Sequence, residues 1–156
     1  MSEIWKLPSA EKIYESMTAV ADNRVNVISS TTGKVWSSSG NKFYDITYDS
    51  GNSAIMSNDN SSYWKGEMGY PAIAFLMAID VIEYDGDIAK LLANVSWKDI
   101  NQKHKNNFSL AANEVLNQFD DEDRQAIENE ANSILEELQV LQLAKLGKRQ
   151  KPPTGY

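Results

Sequence analysis

The residues best equipped for chemistry in this chain lie between Asn58 and Tyr70, where Asp59, Lys65 and Glu67 are interleaved with Tyr63, Trp64 and Tyr70. Rings beside polar groups on a loop are what binding sites use, because each ring supplies contact area at low entropic cost. Such a segment supports recognition of a small molecule, its polar groups fixing the ligand's orientation. The one imidazole, His104, is the second candidate, since an imidazole titrates near neutrality and suits a general base or a pH-sensitive contact. It also falls on an apolar helical stripe between Ile100 and Phe108, where a histidine ordinarily packs at a rim. A ligand site under the loop would draw on Asp59, Tyr63, Trp64, Glu67, Tyr70 and His104. The competing reading folds Trp64 and Tyr70 back as a lid over the core.

Other chemistries find little support. The 156 residues contain no cysteine and one histidine, which excludes disulfides, thiolate metal sites, thiol nucleophiles and a two-histidine centre. Phosphate-loop, dinucleotide and nucleophile-elbow motifs are absent, so no catalytic residue and no cofactor is assigned. No metal is assigned either. Asn58-Asp59-Asn60, Asp85-Gly86-Asp87 and Asp120 to Asp123 offer oxygen ligands without the spacing of a calcium loop. The last two also stand where helices begin, and acidic residues favour that position. Gly66-Glu67-Met68-Gly69 has the spacing of a backbone clamp for nucleic acid, but it places an acid where phosphate would sit.

The elements that must position these residues can be read from period and turn chemistry. Ile13, Met17 and Val20 predict a first helix over residues 9–21, with Ser9 as its cap and Ile4, Trp5 and Leu7 as an anchor before it. From Arg24 to Ser57 short β-rich segments alternate with glycine-centred turns, which predicts an antiparallel meander of three or four strands. Pro71 then opens a segment apolar on nearly every face, Ala72 to Ile82, as expected of a buried helix. A short helix follows Asp85-Gly86-Asp87. Trp97, Ile100, His104, Phe108, Ala111, Val115 and Phe119 make one continuous stripe, so a single long helix is expected from Ser96. Ile127, Ala131, Ile134, Leu138 and Leu141 predict a second, running from Asp120 to Gly147. The expected fold is α+β: an N-terminal helix, a small antiparallel meander, a buried helix and a C-terminal pair of long antiparallel helices. Residues 1–147 form one domain in this reading, and 148–156 a basic flexible tail.

Charge and surplus apolar area point to partners. The formal net charge is -7 and the pI about 4.7, which argues against nucleic acid except through Lys65 and the tail residues Lys148, Arg149 and Lys151. Leu135, Val140 and Leu143 widen the last helix's stripe beyond what one neighbour covers, so a protein partner or homo-oligomer is expected there. The N-terminus lacks a signal peptide and no apolar run could span ~30 Å of hydrocarbon, so a cytoplasmic protein without membrane contact is expected. Two functions remain: a non-catalytic protein-interaction or regulatory domain, and a small-molecule-binding protein or enzyme with its site under the Asn58–Tyr70 loop.

Overall fold

A computed structural model describes residues 3–154. The chain is a mixed α+β structure: one helix, a mostly antiparallel five-stranded sheet, then several helices ending in a long one. Helix α1 (Ala10–Ala21) is buried from Ile13 to Ala19. Ser9 holds its N-cap position in extended backbone but makes no cap hydrogen bond; its hydroxyl turns to the Glu11 carboxylate instead.

Strands β1 (Val25–Val27), β2 (Thr32–Trp36), β3 (Phe43–Asp49) and β4 (Ala54–Ser57) form the expected meander, each antiparallel to the next. The fifth strand, β5 (Ala144–Lys145), was not expected. It pairs parallel to β4 and arrives from the far end of the chain. The N-terminal anchor closes over it: Trp5 N–H donates to Leu143 O at 3.0 Å and Trp5 Nε1 to Ile55 O at 2.9 Å.

After β4 the chain makes a π-helical turn, Ser61–Lys65, which ends at Gly66 with a φ of +66°. Helix α2 (Tyr70–Ala78) follows with proline in its first turn, and every residue from Pro71 to Met77 is buried. It lies between α1 and the sheet. The Phe75 ring sits directly over Gly33 of β2, where a Cβ atom would lie 2.5 Å from the ring. A glycine is needed there because the helix and sheet approach so closely.

The later helices depart from the sequence expectation in two places. The stripe from Ser96 to Phe119 is two helices, α4 (Trp97–Lys103) and α5 (Phe108–Leu116), after the short α3 (Gly86–Leu91). Lys105 and Asn106 between them are left-handed, with φ of 53° and 63°. Asparagine tolerates that conformation, and Asn107 then caps α5 by accepting from Leu110 N–H at 3.2 Å. Helix α6 (Asp121–Leu141) stops short of Gly147 because Gln142 turns left-handed, freeing Ala144 and Lys145 to become strand. Leu143, expected on an outer helix face, is therefore a core residue, 3% exposed. Leu135 packs half-buried against the core, and Val140 alone of the three stands out, 83% exposed. In the segment expected to be a flexible tail, the Arg149 guanidinium stacks 4.6 Å from the Tyr63 ring centroid; Gly155 and Tyr156 lie outside the described residues.

Candidate functional site

A cleft of about 620 Å³ opens beneath the segment that follows β4. Five separate parts of the chain wall it. Helix α1 supplies Lys12 and Glu15, three residues apart and thus on one face. The turn into β1 supplies Arg24; the β2–β3 hairpin supplies Ser37, Ser38, Lys42 and Tyr44. The loop and the start of α2 bring Asp59, Asn60, Trp64, Lys65 and Tyr70. Helices α4 and α5 close the far side with Trp97, Lys98, Asn101 and Phe108.

The walls are tied together by specific bonds. The Lys98 N–H donates to Ser38 Oγ at 3.2 Å, joining α4 to the hairpin. Trp97 Nε1 donates to Thr18 Oγ1 at 2.9 Å, and that hydroxyl donates in turn to Leu92 O at 2.8 Å, joining α4, α1 and the end of α3. Glu15, 8% exposed, accepts from Asn101 Nδ2 at 3.0 Å and has the Lys12 ammonium 3.4 Å from its other oxygen. Arg24 donates to Trp36 O at 2.6 Å. The Tyr44 and Tyr70 rings meet edge to face, 6.1 Å between centroids. Burial holds the Tyr70 phenol well above the ordinary tyrosine range, the neighbouring Tyr44 adds to this, and Arg24 opposes it.

The loop is held by its own acid. Asp59, 5% exposed, accepts from Ser62 Oγ at 2.6 Å and Ser62 N–H at 3.3 Å, which shapes the π-helical turn. That turn aims Trp64 outward, 70% exposed, beside Lys65. The Phe108 ring then takes two ammonium groups, Lys12 at 4.2 Å and Lys65 at 5.6 Å from its centroid. Cations over an aromatic face are attracted by its quadrupole, which positions both lysines at the cleft.

Of the residues singled out from sequence, the structure brings Asp59, Trp64 and Tyr70 into the cleft wall and places the other three outside it. Tyr63 meets Trp64 edge to face, 4.7 Å between ring centroids, and its carbonyl accepts from Arg149 Nη1 at 3.4 Å. Glu67 pairs in a backbone bridge with Lys6. His104 ends α4 and shares the Glu114 carboxylate with Lys103, at 3.1 and 2.6 Å. Those two hydrogen bonds, Lys103's first, hold the Glu114 carboxyl below its usual range. The residues missed were Lys12, Glu15, Arg24, Lys42, Lys98, Asn101 and Phe108. Only the Lys12–Glu15 spacing carried any local signal, and it reads as an ordinary helix-surface pair.

Among the described residues no group of three or more acidic or histidine side chains is placed to hold a metal ion, and no helix is long and apolar enough to cross a membrane. No curated protein and no solved structure matches the chain. A family match runs from residue 5 to residue 144, enclosing every wall of the cleft and ending in β5. The chain belongs to the family described as Uncharacterised conserved protein UCP014422.

Proposed function

We propose that this protein binds a small molecule in the cleft beneath the Asn58–Tyr70 segment. The observation that carries this reading is the convergence of five sequence-distant parts on one concavity of about 620 Å³, within the size range of ligand sites. Its lining has the mixture such sites use: Tyr44, Trp64, Tyr70, Trp97 and Phe108 for area, and serine, asparagine and charged groups for orientation. The interaction-domain reading draws less support, because Val140 is the one expected contact residue of its helix that is strongly exposed.

Trp64 makes the test direct. A metabolite panel screened against the full chain, by thermal shift and by tryptophan fluorescence, yields at least one ligand that raises the melting temperature and changes emission. The emission change is lost in Trp64→Phe, while calorimetry still detects binding. A panel that moves neither signal, or ligands whose effects ignore substitutions in the cleft wall, would sink the reading.

A further inference from the structure

The π-helical turn at the cleft is fixed at both ends by the body of the protein. At its start the Tyr63 N–H donates to Asp59 O at 3.0 Å, beside the Ser62 bond to the Asp59 carboxylate. At its end the Glu67 N–H donates to Ser61 O at 3.3 Å, and Gly66 O accepts from the Lys6 N–H at 3.1 Å. Between these ends stands a crest, Tyr63, Trp64 and Lys65, with Trp64 and Lys65 exposed at the cleft. Two cation–aromatic contacts brace it. The Lys65 ammonium lies 5.6 Å from the Phe108 centroid on the cleft wall, and the Arg149 guanidinium lies 4.6 Å from the Tyr63 centroid.

Arg149 comes from the C-terminal segment, which leaves the sheet after β5. Leu146 N–H donates to Ile55 O at 3.1 Å, Gly147 then turns with a φ of +75°, and Pro152 and Pro153 further on are half-buried. At the root of this segment Lys145 already touches the turn: a Cβ atom on Gly66 would lie 3.1 Å from its Nζ. Arg149 then engages a single residue twice, its guanidinium over the Tyr63 ring and its Nη1 donating to Tyr63 O at 3.4 Å. The Tyr63 ring in turn meets the indole of Trp64 edge to face. A continuous line of contacts therefore runs from the C-terminal segment through Tyr63 to a residue of the cleft wall. Contacts of this kind at a surface shift an equilibrium only a few-fold, so they hold a crest in place and still let it go.

We propose that residues 147–154 are a latch on the cleft: Arg149 seated on Tyr63 holds the crest down, and its release lets Trp64 and Lys65 move and opens the cleft to its ligand. This rests on the cleft being a ligand site, but the motion is read without a ligand. The full chain is compared with Arg149→Ala, Arg149→Lys and Lys148→Ala by amide hydrogen exchange and by NMR line broadening from the neutral nitroxide hydroxy-TEMPO. In Arg149→Ala the Tyr63, Gly66 and Glu67 amides exchange about two- to fivefold faster, the effect of losing one exposed cation–π contact. The Tyr70 and Asn101 signals of the cleft wall broaden more strongly. Amides from Ile73 to Met77 in α2 exchange as before, which marks the opening as local. Arg149→Lys, which keeps a cation for the ring, stays closer to the unsubstituted chain, and Lys148→Ala changes nothing. In a Tyr63→Leu background the Arg149→Ala effect shrinks below about twofold, because the two act as one contact.

Unchanged exchange at the turn in Arg149→Ala would overturn the latch. So would an equal effect from Lys148→Ala, or an Arg149→Ala effect that persists in full with Tyr63→Leu. Faster exchange with no added broadening at Tyr70 and Asn101 would mean that the turn loosens without opening the cleft, and would overturn the inference as well. A failed latch leaves the ligand reading of the cleft standing. A metabolite panel without a binder fells that reading, while exchange and broadening still decide the latch.

Discussion

The Asp59 carboxylate lies directly over the α-carbon of Gly69: a Cβ atom at that position would meet Asp59 Oδ2 at 1.8 Å. Gly69 is the N-cap of α2, and Asp59 also shapes the π-helical turn through Ser62. One buried acid thus clips the loop to the helix behind it. The placement of Trp64 and Lys65 at the cleft's edge follows from that clip.

Gly69→Ala is therefore costly, and the N-cap position it occupies also favours glycine over alanine. Overpacking against Asp59 destabilises by about 1–3 kcal/mol, to be measured by urea denaturation. Combining it with Asp59→Ala gives less than the sum of the two single losses, because the clash needs both partners. Strict additivity would show that the contact does not carry the effect.

Thr18 joins three helices through one hydroxyl. Thr18→Val keeps the shape and leaves both the Trp97 N–H and the Leu92 carbonyl without their partner. The expected loss is about 2–6 kcal/mol, from two buried polar groups at about 1–3 each. Thr18→Ser recovers most of it, and equal losses in both variants would point to packing instead.

Phe108 gathers Lys12 and Lys65 by its ring face. Phe108→Leu retains much of the apolar volume but removes the quadrupole. Stability falls by less than about 1.5 kcal/mol while each cation–π contact, worth about 0.5–1 kcal/mol, is lost from ligand positioning. Calorimetry with the cleft's ligand should show weaker binding at near-unchanged melting temperature.

Tyr70 sets a limit at high pH. Its folded pKa is raised above the unfolded value near 10, so below that pH its contribution is fully present. As pH rises further, the unfolded chain ionises first and this group costs stability at up to about 1.4 kcal/mol per pH unit. Tyrosinate absorbance at alkaline pH should show Tyr70 ionising together with unfolding, and Tyr70→Phe should flatten its share of the decline. Tyr14, whose phenol burial also raises, adds a smaller slope of the same sign.

Leu143 and Val140 separate folding from surface. Leu143→Ala empties a core position behind Trp5 and costs about 2–5 kcal/mol. Val140→Glu, at an 83% exposed site, changes stability by no more than about 0.5 kcal/mol. Light scattering on the Val140 variant checks whether this face joins copies of the chain: an unchanged mass leaves it as plain solvent-facing surface.

Much of the architecture was legible in sequence because it is written in local patterns. A segment apolar on all faces must be buried, and Pro71 to Met77 is. Glycine-centred turns between short β-rich runs enforce antiparallel pairing, and β1 to β4 obey. Aromatic crowding marked the loop that contributes Asp59, Trp64 and Tyr70 to the cleft. Local patterns also misled where two signals competed. The apolar stripe through Phe108 implied one helix, yet left-handed Lys105 and Asn106 with the Asn107 cap divide it.

Only the tertiary structure decided where the cations meet. Lys12, Arg24, Lys42 and Lys98 each look like solvated surface in their own window, since no short-range period distinguishes a lysine facing water from one facing a cleft. Their convergence requires α1, the β2–β3 hairpin and α4 to be brought together, and that placement is fixed by long-range burial and by bonds such as Lys98 N–H to Ser38 and Trp97 Nε1 to Thr18. The same holds for β5, whose parallel pairing with β4 joins segments ninety residues apart. Local composition determined the kinds of element and the loop worth watching; side-chain chemistry became a site through contacts that no local window contains.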